Sequence, residues 1–248
     1  GVASTTAVSI GSQVMHMLTV MLVGLAMGAT VSIAQATGGG DKKRTASAIG
    51  NTVTLFMLLS LALTALLLAL RGGIVSIMST PEEAVQGTLA YLTVCFIGIP
   101  FITAYSIIAS IFRGLGDSKS PLLFVLVACI VNVFGDLLLV AGLHLDAAGA
   151  AIATVAAQAV SVVCAVVMLL KKKKELQFKL QKSDFRLNAQ CRKFLAIGLP
   201  LALQEFLTQM SFLALCAFVN RLGLEASSGY GVASKIVNFA MLIPSALM

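Results

Sequence analysis

Apolar positions run along this chain in seven long blocks, at approximately 7–36, 48–70, 88–112, 121–143, 147–170, 194–219 and 231–248, with polar residues, glycine and proline gathered between them. A bilayer core about 30 Å thick needs roughly 20 apolar residues per helix. In hydrocarbon each backbone polar group must be satisfied within its own segment, so every block predicts a membrane-spanning helix, the seventh incomplete. The breaks carry helix punctuation. Gly38-Gly39-Gly40-Asp41 stops the first block, Arg71-Gly72-Gly73 the second, and Gly142 with the turn His144-Leu145-Asp146 the fourth. Thr80 ahead of Pro81, Glu82 and Glu83 predicts an N-cap with acids in the first turn. Gly98-Ile99-Pro100 predicts a bend in the third block and Pro200 a kink in the sixth, and both prolines are candidate hinges.

Composition supports the pattern. Of 248 residues 58% are apolar and 11% charged, where a soluble domain carries about 25% charge. A soluble enzyme, a disordered chain and a disulfide scaffold are excluded on that ground. The fold class predicted is all-α, a polytopic helical membrane protein. Cys95, Cys129, Cys164 and Cys216 sit in apolar runs and read as small packing residues, and Cys191 in a basic stretch reads as a free thiol on a reducing side. The chain begins at Gly1 rather than Met, and Met248 interrupts an apolar run, so we expect an internal piece of a longer protein.

The net charge of +7 is topological rather than a sign of nucleic acid. Fourteen of the seventeen Lys and Arg residues fall in the loops after the first, third and fifth blocks, and two in the loops after the second, fourth and sixth. This alternation places the loops at 37–47, 113–120 and 171–193 in the cytoplasm, by the positive-inside rule. The 171–193 stretch, with Lys171 to Lys174, reads as a basic linker between two bundles that also meets anionic membrane lipid. It lacks the aromatic interleaving of a nucleic-acid site. Gly1-Val2-Ala3-Ser4 recurs as Gly231-Val232-Ala233-Ser234, each opening an apolar block in the same direction. That is the pattern of a parallel repeat, and it predicts two six-helix halves.

Polar residues inside the blocks are the candidate chemistry. Asp136 lies mid-block with Asn132 one turn earlier on the same face. A carboxylate in hydrocarbon is expensive, so it must face a partner, water or the bundle interior. Protonation removes that cost, which makes Asp136 a candidate proton carrier, and with Asn132 it offers hard oxygen ligands to a small cation. A purely structural hydrogen bond is the competing reading. Thr154 and Gln158 share a face of the next block, which a short turn sets beside the fourth, so Asn132, Asp136 and Thr154 can form one site. Glu205, with Gln209 one turn on, is a candidate second cation or substrate site. Lys235 reads as snorkelling. His16 has no partners at ligand spacing, and no transition-metal site is predicted. Gly24 and Gly28 form GxxxG, a weak signal in so Gly-rich a chain. No phosphate-binding loop, nucleophilic triad or HExxH sequence is present, which argues for a secondary transporter over an ATP-driven pump or a membrane enzyme.

Arg113-Gly-Leu-Gly-Asp-Ser-Lys-Ser-Pro121 resembles the RGxGDxKxP loop of multidrug and toxic compound extrusion (MATE) transporters. Asn132-Val-Phe-Gly-Asp136 followed by Ala147-Ala-Gly-Ala-Ala-Ile-Ala-Thr154 resembles that family's fifth and sixth helices, and Ile197-Gly-Leu-Pro200 with Asn220-Arg-Leu-Gly223 its seventh. The resemblance covers essentially the whole chain as family helices two to seven and part of eight. It implies a two-lobe bundle, with 1–170 in the amino-terminal lobe, 171–193 the linker and 194–248 the start of the second lobe. It implies a monomeric antiporter of the cytoplasmic (inner) membrane, with no cofactor, that exports drugs or amphipathic organic cations against inward Na⁺ or H⁺ flow. Asn132, Asp136 and Thr154 match the family's cation site; the spacing of Glu205 from Pro200 departs from the family pattern. A lipid-linked saccharide flippase of the same superfamily is the alternative, but it calls for several cationic residues inside the cavity, and only Lys235 lies within a block.

Overall fold

A computed structural model describes residues 2–78, 80–143, 145–172, 182–186 and 189–221, with a few positions between 233 and 240. All secondary structure among them is helical: α1 (Val2–Gly38), α2 (Lys42–Ile77), α3 (Glu82–Ile97), α4 (Ile99–Gly114), α5 (Lys119–Asp136), α6 (Asp146–Lys172) and α7 (Ala189–Arg221). A π-helical turn, Leu137–Gly142, extends α5, and a 3₁₀ turn, Lys182–Phe185, precedes α7. The seventh apolar block, with Lys235 and the second copy of the repeat, lies almost entirely outside the described residues.

Four elements are long and apolar enough to cross a bilayer: Ala3–Gly38, Lys42–Ile77, Lys119–Gly142 and Asp146–Lys171. The third block is a fifth candidate span, built from α3 and α4 with a 45° bend between them. Gly98 makes the bend. A side chain there would overlap Val155 on α6, and Pro100 sits in the first turn of α4, where its missing N–H costs nothing. The outer faces are apolar: Leu122 is 69% exposed, Phe134 68% and Leu126 54%. Such faces suit lipid as the solvent and are too extensive for water.

The chain packs as two units, Gly1–Leu203 and Gln204–Met248. In the first, one core gathers around Tyr91, Leu92, Cys95, Phe96 and Ile99. A second gathers around Ile33, Phe56 and Phe194, where the Phe56 and Phe194 rings stand 5.3 Å apart. A third joins Phe112 to Phe124, their ring centres 5.4 Å apart. The Gly24–Gly28 pair has a use that sequence spacing understates. A side chain at Gly28 would collide with Phe194 O and the Gly198 backbone, and one at Gly24 would press on Ala202. Small residues therefore let α1 and the first half of α7 touch through their backbones, the form helix association takes where lipid removes the hydrophobic drive.

The loop of the RGxGDxKxP resemblance is held by Asp117. Its Oδ1 accepts from the Lys119 and Ser120 amides, both at 3.1 Å, and its Oδ2 from the Ser120 hydroxyl at 2.6 Å. Gly116 takes a positive φ of 84°. These bonds satisfy amides that the start of α5 leaves open. Asp41 does the same for α2, accepting from the Arg44 amide at 2.9 Å.

Three expectations are corrected. The second block does not stop at Gly72-Gly73, because α2 continues to Ile77: a glycine costs about 1 kcal/mol in a helix, less than opening backbone bonds next to lipid. Thr80 does not cap α3. Pro81 holds the cap position in an extended conformation, and the Thr80 hydroxyl instead donates to Val75 O, an open carbonyl at the end of α2. Cys129 is exposed on α5 rather than packed. Cys191 is a free thiol, as expected, and donates to Asn51 Oδ1 at 3.1 Å.

Candidate functional site

The α5–α6 hairpin brings the candidate residues together. Gly135 allows the approach: a Cβ there would lie 3.0 Å from Ala153 Cβ. With the helices this close, Asn132 Nδ2 donates to Thr154 Oγ1 at 3.3 Å, and Thr154 Oγ1 donates to Ala150 O at 2.9 Å. The hydroxyl proton of Thr154 is thereby committed to the backbone, and its oxygen faces the polar pair as an acceptor. Asp136, one turn along α5 from Asn132, is half-buried, and its Oδ1 is buried without a hydrogen-bond partner. An unmatched carboxylate oxygen in an apolar bundle is costly, and a proton or a small hard cation relieves the cost. The helix changes to π geometry immediately after Asp136, a local widening frequent at functional positions.

Tyr91 on α3 lies in the core beside this group and is not singled out by the sequence pattern. It is 5% exposed, lies within electrostatic reach of Asp136 and shares a side-chain hydrogen bond with Cys95. Gly11 on α1 leaves room for its ring, which a side chain there would strike. One signal is present in the sequence: Tyr91 and Cys95 stand one turn apart in the third block. The Gly98 bend abuts Val155, the residue after Thr154, so bend and site share a stretch of α6. Gln158, one turn beyond Thr154, has a buried Oε1 without a partner.

Glu205 and Gln209 belong to the second unit, partly buried one turn apart on α7. Pro200 lies within α7, which continues through it. His16 is exposed, and among the described residues no three His, Cys, Asp or Glu side chains are grouped to hold a metal ion.

The MatE family model matches residues 1–138, which runs from α1 to just past Asp136. The chain is 27% identical over 248 residues to "Probable multidrug resistance protein YoeA" of Bacillus subtilis, covering 98% of this chain and 54% of that protein. It is 26% identical over 238 residues to "DNA damage-inducible protein F" of Escherichia coli, covering 94% and 50%. Against "Probable multidrug resistance protein NorM" of Thermotoga maritima it is 25% identical, covering 95% and 51%. Among solved structures, a crystal structure of MATE in the bent conformation matches with a TM-score of 0.90 at 22% identity, over 96% of this chain and 54% of that one. An inward-facing MATE family transporter of the MOP superfamily matches with a TM-score of 0.83 at 22% identity, over 98% and 56%. The chain spans about half the length of the curated relatives it matches. With a family model over more than half its length and an α-helical membrane fold matched in solved structures, the chain belongs to the MatE family.

Proposed function

We propose that this chain is part of a cation-coupled antiporter that exports drugs or amphipathic organic cations across the cytoplasmic membrane. The observation that carries the reading is Asp136, a carboxylate with an unmatched buried oxygen beside the hydrogen-bonded Asn132–Thr154 pair. Asp136 takes the coupling H⁺ or Na⁺, and the Asn132 and Thr154 oxygens complete the site. Occupancy neutralises the carboxylate and changes the relative stability of two packings of the lobe; a ligand shifts such an equilibrium only by its differential affinity for the two states. Glu205 and Gln209 form a second cation or substrate site, and Pro100 and Pro200 act as hinges. Residues 1–170 form the amino-terminal lobe, 171–193 the linker and 194–248 the start of the second lobe.

Loops 37–47, 113–120 and 171–193 face the cytoplasm, and the complete carrier works as a monomer with no cofactor. Relatives named for multidrug resistance support the substrate class. They do not favour the saccharide flippase. The test is export of a cationic dye by the complete polypeptide in cells without their own pumps, with Na⁺ and H⁺ gradients imposed separately. Asp136→Asn is expected to lower export at least about tenfold, one decade of rate, at unchanged membrane abundance. The gradient that drives the wild type names the ion. Export by the variant equal to wild type would reduce the site to a structural contact.

A further inference from the structure

Arg71 on α2 is the only lysine or arginine between Arg44 and Arg113, and it ends a run without charge that begins at Thr45. Its depth follows from the length of that run. Toward the other end of α2, Asn51, Thr52 and Thr54 are polar, and Thr54 Oγ1 donates to Phe185 O at 2.9 Å. A membrane span takes roughly 20 residues. Laid from Asn51 it ends at Leu70, and laid from Leu55 it ends at Ile74. Arg71 therefore stands within one helical turn of the hydrocarbon boundary, at the level of the lipid headgroups.

The guanidinium at that level is exposed and held in one direction. Its Nη1 donates to Thr93 Oγ1 on α3 at 3.0 Å, and the Thr93 hydroxyl donates in turn to Leu89 O at 2.6 Å. The Thr93 proton is committed to the backbone, so its oxygen serves Arg71 as an acceptor. Among the described residues the guanidinium has no other hydrogen bond and no ion pair. Glu82 and Glu83 open α3 about 15 Å before Thr93 along its axis, too far to pair with a head held there. The edge formed by Nε and Nη2 is left open, and that edge binds phosphate through two parallel hydrogen bonds. Deeper along the same two helices the surface is apolar: Leu70 is 51% exposed and Ile97, one turn past Thr93, 56%.

We propose that Arg71, oriented by Thr93, binds the phosphate of an anionic phospholipid in the leaflet at the α2–α3 turn, with an acyl chain along Leu66, Leu70 and Ile97. A cation at the edge of hydrocarbon is costly unless it meets water or a counter-charge. A snorkelling arginine reaches water with its head free to move, whereas Arg71 is fixed across α3 with its phosphate-binding edge unused. An anionic headgroup is favoured because a zwitterionic one already carries a cation beside its phosphate. In the orientation proposed above this is the outer leaflet. The site does not involve Asp136 and stands or falls apart from the transport reading.

The test titrates phosphatidylglycerol into the purified, detergent-solubilised complete polypeptide and counts bound lipid by native mass spectrometry, with phosphatidylcholine as the comparison. Arg71→Gln is expected to bind the first phosphatidylglycerol about tenfold more weakly, the loss of one charge-assisted pair, with phosphatidylcholine binding unchanged. Thr93→Val keeps the charge and removes its orientation, and is expected to lose affinity several-fold. Lys119→Gln removes an exposed cation from a different turn and is expected to bind as the wild type does. Wild-type affinity in Arg71→Gln would overturn the site. An equal loss in Lys119→Gln would also overturn it, by reducing it to attraction by net charge. If Arg71→Gln fails to fold, Thr93→Val decides, and affinity equal to wild type would then overturn the oriented site. A last arm replaces lipid with inorganic phosphate and follows the melting temperature. A wild type that does not prefer phosphatidylglycerol, yet is stabilised by phosphate through Arg71, would overturn the lipid and name free phosphate as the occupant.

Discussion

Thr154 fixes the arrangement of the polar side chains at the candidate site. Its oxygen accepts the Asn132 amide while its proton goes to Ala150 O. Thr154→Val keeps the shape and removes both bonds, leaving an amide donor unpaired among apolar helices at a cost of about 1–3 kcal/mol. The melting temperature of the purified protein is expected to fall, and the apparent affinity for the coupling cation to weaken several-fold. Thr154→Ser restores the oxygen and is expected to recover both readouts. A fall in melting temperature without any change in cation dependence would mark the pair as structural. Asp136 and Asn132 are legible in sequence because polar side chains interrupt an apolar run. Tyr91 is not, since an aromatic ring satisfies the same apolar pattern whether it packs or faces a carboxylate. Its ring seats against Gly11, a contact across 80 residues of chain.

At the scale of elements, the spans are readable and their ends are not. Hydrophobic length fixes the existence of a helix in a bilayer. Its limits depend on which backbone groups find partners, and this is why α2 runs on through Gly72-Gly73 and why Thr80 turns back to Val75. The π turn after Asp136 has no local signature, since Leu137 to Gly142 would suit an α-helix equally well by composition. The α3–α4 bend is readable from Gly98-Ile99-Pro100, but its fit against α6 is not. Gly98→Ala drives a methyl against Val155 Cγ2. Overpacking of this kind costs about 1–3 kcal/mol. Val155→Ala alone opens a small cavity and also destabilises. The double variant Gly98→Ala with Val155→Ala is expected to be more stable than the sum of its parts by at least about 0.5 kcal/mol, the usual coupling of touching residues. Denaturation of all four proteins in one detergent measures the cycle, and simple additivity would show that the bend does not depend on Val155.

Across the whole chain, charge and helix length together argue for the proposed orientation in the membrane. α1 and α2 contain 37 and 36 residues, and helices of that length extend to about 55 Å. They outrun a core of about 30 Å, so their ends stand in the interface or beyond it. The end of the first unit that carries Lys42, Lys43, Arg44, Arg113, Lys119 and Lys171 concentrates its cations, and five of these six side chains are exposed. Holding that end in the cytoplasm costs no transfer of cations across the bilayer, whereas inversion would move all of them. Single cysteines at Ser118 and Thr80, in a background freed of native cysteines, report the two sides. In intact spheroplasts an impermeant maleimide is expected to label Thr80→Cys and to reach Ser118→Cys only after the membrane is opened. Both substitutions sit at helix ends outside the apolar spans, and Ser118 and Thr80 are separated by one bent span. Labelling of Ser118→Cys in sealed spheroplasts, with Thr80→Cys protected, would reverse the assignment. It would place the basic loops outside and oblige the coupling ion to reach Asp136 from the opposite direction.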